Sequence, residues 1–327
     1  MRLHSNTTLF KLFVLGSFVS ILIFFSNKTK LAPSKITQTF LASSLILKVK
    51  TSDANDKPTF IKNELTRKLP SAIIIGSSKC GSRALLEFIG VHPNVAIATK
   101  EIYYFNNRYQ NGLEWYIGQM PLSNEHQITI EKTPSYIIDE RAPKRVFDLN
   151  PKMKLILTLR DPVVRAVSEY LQKRGDIIDN NPLRDSEIFE KQLYDQNRNI
   201  RKDWIVVEKG LYYPHLQNWL KYFPKEQILF INGHELIREP SVEFEKLQRF
   251  LNLTTVIKKE NFVGNVRQGF YCIKEPSNLD EVKCLGKNKG RQHPPINETI
   301  LNDLRHFYRP YNEELFTFLN EKPWWPI

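Results

Sequence analysis

Lys79 and Arg83 stand inside and just after a run of small residues, Gly76-Ser-Ser-Lys-Cys-Gly-Ser82. An apolar β-like run, Ala72 to Ile75, leads into it. A helix-like segment leads out, with Leu85, Leu86 and Ile89 on one side. A strand, a tight loop and a helix N-terminus together make a site for a phosphate or sulfate group. Backbone N–H groups and the helix dipole both point at the anion, and the two side chains add full positive charges. The loop is not a Walker A motif, because its lysine precedes the second glycine, and no Gly-x-Gly-x-x-Gly is present. Small residues also serve βα turns for steric reasons, so the loop alone fits a plain turn as well.

Other cations fall at comparable places. Glu131-Lys132-Thr133-Pro134 follows a strand-like run from Ile128, and Arg160-Asp161-Pro162 ends one from Lys154. Asp161 is suited to N-cap the next helix and Pro162 to stand at N1. Ser168 lies about two turns further on. A fourth strand is expected at Ile228–Asn232. Helical patterns run over Ser82–His92, Arg141–Leu149, Pro162–Gln172, Tyr213–Tyr222 and Val242–Leu251. Alternation of this kind predicts an α/β fold with a central parallel sheet and helices on both faces. Open parallel sheets bind ligands at the carboxyl ends of their strands, which would gather Lys79, Lys132 and Arg160 into one cationic crevice. Taken singly, each charge reads equally as a surface ion pair. A later basic loop, Gly286 to Pro294, could wrap a phosphate with Lys289, Arg291 and backbone N–H groups; it also fits a solvated turn.

The chain has 327 residues, 41% of them hydrophobic, enough for a large core. Its formal charge of +12 suits a polyanionic partner or a generally basic surface. Leu12 to Phe25 is apolar apart from Ser17 and Ser20 and has lysines on both sides. With no small-residue cleavage site directly after it, it reads as a signal anchor, a cleaved signal being the alternative. The expected organisation is a short tail and anchor over 1–30, a polar stem over 31–67 and one catalytic domain over 68–327. Cys272 and Cys284 flank a polar hairpin-like segment, and a disulfide there would contribute ~3 kcal/mol. Cys80 is then the odd thiol. Sequons at Asn252 and Asn297 would be open to glycosylation in a lumen, whereas the one at Asn6 would be cytosolic. The seven histidines show no metal-ligand spacing and no Cys-x-x-Cys occurs, so no metal is expected. Nucleic acid is not the expected partner, because the basic residues punctuate strand ends and an anchor would place the domain in a lumen.

Together the motifs resemble the heparan sulfate glucosamine 3-O-sulfotransferases. The markers are Lys79-x-Gly-x-Arg83-Ala-Leu-Leu-Glu, Gln127-Ile-Thr-Ile-Glu-Lys-Thr-Pro-Ser-Tyr136, Arg160-Asp-Pro-x-x-Arg-Ala-x-Ser168 and Cys284-Leu-Gly-Lys-x-Lys-Gly-Arg-x-His-Pro294. The resemblance implies a single P-loop-like sulfotransferase domain that uses 3′-phosphoadenosine 5′-phosphosulfate as donor. Lys79, Cys80, Gly81, Ser82 and Arg83 would hold the phosphosulfate. Arg160 and Ser168 would hold the 3′-phosphate, with Lys289, Gly290, Arg291, Gln292 and His293. Glu101 matches the family's catalytic base, and Lys79 and Lys132 would stabilise the developing charge. Acceptor contacts would come from Glu101, Tyr103, Asn106, Lys132, Thr133, Pro134, Ser135, Gln172 and Trp204. Trp204 also fits a core tryptophan.

The chain departs from the family at Tyr103 and Asn106, where His and Asp are usual, and at Cys80, where Gly is usual. The expectation is a Golgi type II membrane enzyme that sulfates the 3-hydroxyl of glucosamine in heparan sulfate. Tyr103 and Asn106 keep open an N-sulfotransferase or another glycan O-sulfotransferase. A non-catalytic glycan-binding module is the alternative from a different class.

Overall fold

A computed structural model describes residues 65–174, 182–265, 270–286 and 296–327. The expected anchor and all but residues 65–67 of the expected stem lie outside them, as do Lys289, Gly290, Arg291, Gln292 and His293 of the basic loop; Thr66–Arg67, read as stem, pair antiparallel with Leu122–Ser123. Among the described residues no helix is long and apolar enough to cross a membrane.

The sheet-forming runs are short and apolar. Strand β1 is Ala72–Gly76, followed by helix α1 (Ser82–Ile89) and strand β2 (Val95–Ile97). Two short helices, α2 (Tyr104–Asn107) and α3 (Gly112–Gly118), precede strand β3 (Ile128–Lys132). Helix α4 (Ala142–Leu149), strand β4 (Lys154–Leu159) and helix α5 (Pro162–Arg174) follow. The chain continues through α6 (Pro182–Leu193), α7 (Ile205–Glu208), α8 (Tyr212–Leu220), strand β5 (Ile228–Asn232) and α9 (Pro240–Phe250). An antiparallel sheet of β6 (Phe262–Asn265), β7 (Phe270–Glu275) and β8 (Asn278–Lys283) comes next, and α10 (Glu298–Leu319) closes the domain.

The main sheet is parallel, in the order β2-β3-β1-β4-β5. Alternation along β1 sends Ile73 and Ile75 to one face and Ala72 and Ile74 to the other. The first face packs on α2, α3, α4, α8 and the second half of α10, the other on α1 and α9. A third apolar cluster joins α5, α6 and α7 to the first half of α10. All four expected strands and the expected helices are present to within a few residues. β1 is flanked by β3 and β4, so the three strand ends predicted to deliver cations are adjacent.

Candidate active site

The turn after β1 has its backbone polar groups committed to neighbouring strands. Ser77 N–H donates to the Thr158 carbonyl at 2.9 Å and Thr158 Oγ1 to the Gly76 carbonyl at 2.9 Å. Lys79 (φ 70°) and Gly81 (φ 94°) adopt left-handed conformations that turn the chain into α1. No side chain caps α1 and no acidic residue stands in its first turn, so its leading N–H groups suit an anion. The loop rests on Gly233, where a Cβ would come within 2.6 Å of the Cys80 carbonyl oxygen and 2.8 Å of that of Leu159. The Cys80 side chain is buried below the loop, 3.4 Å from the Tyr212 hydroxyl, which donates to the Arg160 carbonyl at 2.7 Å. Burial pushes this thiol up, against the Tyr212 hydrogen bond and the Arg165 and Arg160 charges. Cys80 can therefore meet a ligand only through its backbone. Two polar atoms, Ser77 Oγ and Arg160 Nε, are buried with no hydrogen-bond partner among the described residues. Both leave the ends of adjacent strands, and a phosphate-bearing ligand there would satisfy them. The residues present fit such a group.

Thr133 N–H at the end of β3 donates to the Ile74 carbonyl of β1 at 3.2 Å, which fixes Lys132 beside the loop. The Lys132 side chain is 4% exposed and pairs with Glu101, which is 30% exposed. Tyr103 O–H donates to the other carboxylate oxygen of Glu101. Burial alone would raise Glu101, but the Lys132 ammonium and the hydrogen bonds from Lys132 and Tyr103 outweigh it and hold the carboxyl below its ordinary value. Tyr103 moves the other way, to about 12, through burial and the adjacent carboxylate. Lys79 Nζ reaches across to Gln172 Oε1 on α5 at 2.9 Å. Beyond Gln172, a cleft of about 170 Å³ is lined by Tyr170, Lys173, Arg174, Ile188, Gln192, Trp204 and Val206. Trp204 is half-buried, edge-on to Phe189 at 5.4 Å, so it both packs and lines the cleft.

Several expected residues serve the frame. Arg83 bonds the Thr99 carbonyl at 2.5 Å and pairs with Glu87 at 2.5 Å, so its guanidinium braces the Glu101 segment. Thr133 and Pro134 are buried. Asn106 is buried too, its amide donating to Ser135 Oγ at 3.0 Å. Asp161 caps α5 through Val163 N–H at 2.8 Å, and Ser168 is half-buried on the same helix. Cys272 and Cys284 form the expected disulfide. Sequence reasoning passed over Glu131, Tyr212 and Gly233. For Glu131 a signal existed, an acid inside a strand otherwise read as buried.

A sulfotransferase domain model matches residues 69–309. Heparan sulfate glucosamine 3-O-sulfotransferase 5 of Mus musculus is 38% identical over 269 residues, 81% of this chain and 76% of that protein. The chain belongs to the heparan sulfate glucosamine 3-O-sulfotransferase family. Heparan sulfate glucosamine 3-O-sulfotransferase 3A1 of Mus musculus is 42% identical over 260 residues, 78% of this chain but only 64% of the relative. A solved sulfotransferase from Alicyclobacillus acidocaldarius superposes with a TM-score of 0.53 at 19% identity, over 78% of this chain and 97% of that one. The sulfotransferase fold thus accounts for the sheet order and the loop after β1. Within this family member, Lys79 meets Gln172 and Lys132 meets Glu101, at the ends of the adjacent strands β1 and β3.

Proposed function

We propose that this protein transfers a sulfuryl group from 3′-phosphoadenosine 5′-phosphosulfate to the 3-hydroxyl of glucosamine in heparan sulfate. The observation that carries the reading is the Glu101–Lys132 pair beside the anion loop, with Tyr103 on the second carboxylate oxygen. Names of the relatives supply the acceptor. Gly81, Ser82 and the backbone of Cys80 would hold the phosphosulfate with Lys79, and Arg160 and Ser168 the 3′-phosphate. When bound, the donor supplies an activated sulfuryl group. Glu101, kept as a carboxylate, takes the proton of the attacking hydroxyl, and such a base contributes roughly 10²–10⁴-fold. Lys79 and Lys132 supply fixed positive charge where negative charge grows, in a partly buried site where it acts strongly.

Transfer to the glucosamine amine or another glycan hydroxyl is the alternative that Tyr103 and Asn106 suggest; of these, Asn106 bears on the amine. Its buried contact with Ser135 favours the hydroxyl, since it leaves Asn106 in the frame. Incubation with ³⁵S-labelled donor and heparan sulfate, followed by disaccharide mapping, tests the assignment. Label on the 3-hydroxyl is expected. Label on the amine or another hydroxyl would move the acceptor, and donor binding without transfer would leave a glycan-binding module. The anchor-like segment supports a membrane-anchored protein, which we read as Golgi type II with this domain in the lumen.

A further inference from the structure

A buried polar cluster lies behind Glu101, and the proposed chemistry does not use it. Glu131, the penultimate residue of β3 before Lys132, is fully buried. Its Oε1 accepts from the Tyr116 hydroxyl at 3.0 Å and its Oε2 from Thr133 Oγ1 at 3.1 Å. Thr133 Oγ1 in turn accepts the backbone N–H of Ile102 at 3.2 Å and of Tyr103 at 3.3 Å. A threonine hydroxyl has one proton and two lone pairs, and all three are engaged here. With both lone pairs on amides, Thr133 must donate its proton, and Glu131 Oε2 receives it. An acceptor at position 131 therefore sets the polarity of Thr133.

Those two amides directly follow Glu101. Tyr103 is left-handed (φ 57°), a conformation that a tyrosine seldom takes unless its neighbours impose it. The next turn is held in the same manner, because the Tyr136 hydroxyl accepts Tyr104 N–H at 2.8 Å and Phe105 N–H at 3.4 Å. We propose that Glu131 is a positioning residue, which through Thr133 fixes the backbone at 102 and 103 and so the aim of the Glu101 carboxylate. This rests on the reading of Glu101 as the base. Burial raises Glu131 to about 7 even against the Tyr116, Thr133 and Tyr136 hydroxyls, so the position works against the ionised acid. Packing alone would be served better by an apolar residue there.

The test compares the full-length protein with Glu131→Leu, which removes the acceptor, Thr133→Val, Thr133→Ser and the double variant Glu131→Leu/Thr133→Val. Amide hydrogen exchange is followed at residues 102 and 103 and over α1, beside kcat and the donor KM. Glu131→Leu and Thr133→Val are expected to speed exchange at 102 and 103 about tenfold or more while α1 is unchanged. They should lower kcat by roughly 10–100-fold, the scale of an ångström of misplacement, and leave the donor KM within about twofold. At the amides of 102 and 103 the double variant should exchange no faster than Thr133→Val, because the two residues reach those amides through one link. Unchanged exchange at 102 and 103 in a folded variant, or effects on that exchange that multiply, would overturn the proposal. If Glu131→Leu does not fold, the threonine pair decides: Thr133→Ser must keep the protection that Thr133→Val loses. Should the wild type transfer no sulfuryl group, the base reading falls, while the exchange data still decide what holds the segment.

Discussion

Glu101 stands out in the sequence only through its motif, since a lone surface acid carries no signal of its own. The structure supplies the reason for its selection: a half-buried carboxylate gripped by Lys132 on one oxygen and Tyr103 on the other. Tyr103 stands where the family usually has histidine yet still reaches Glu101, so the departure alters the carboxylate's setting without removing its support. The Tyr103 hydroxyl favours the charged form of Glu101, and removing it must raise the Glu101 pKa. Tyr103→Phe is therefore expected to move the acid limb of kcat/KM to higher pH, with activity lost sooner as the pH falls. A pH–rate profile checks this, and a limb that stays in place would show that Tyr103 does not act on the base. Arg83 was harder to read, because spacing put it at the anion loop while only coordinates reveal its turn toward Thr99 and Glu87.

At the scale of elements, the parallel strands were legible because each is a short apolar run between turn residues. Three features were not. Strand β2 has three residues, too few for a period to show. Helix α10 runs through Pro310, which normally reads as a helix end. Gly233 is remote in sequence from the loop it supports. Its backbone N–H donates to the Leu159 carbonyl at 2.7 Å, and the Cys80 carbonyl sits where a side chain would begin. A methyl group there must displace the anion loop or the end of β4. Gly233→Ala is expected to weaken donor-nucleotide binding by about tenfold and to destabilise the fold by ~1–3 kcal/mol, read by calorimetric titration and a thermal melt. Wild-type affinity in this variant would mean that the loop is not seated on Gly233.

Over the whole molecule, the fold brings three adjacent strand ends together, and that convergence was readable from the positions of Lys79, Lys132 and Arg160. The distances within the crevice were not, since they depend on how α5 carries Gln172 toward Lys79. The surface bears on the proposed location as well. Asn252 and Asn297 are both exposed, Asn297 as the N-cap of α10 with its side chain accepting from Thr299 N–H at 2.9 Å. If the domain is lumenal, expression in animal cells should give glycosidase-sensitive forms that Asn252→Gln and Asn297→Gln remove. A chain of unmodified mobility would contradict that placement. The central claim is that Glu101 acts as the base and takes no part in holding the nucleotide. Glu101→Gln in the full-length protein tests it most directly, with sulfuryl transfer and affinity for adenosine 3′,5′-bisphosphate measured side by side. We expect transfer to fall by roughly 10²-fold or more with nucleotide affinity unchanged; transfer at the wild-type rate would contradict the account.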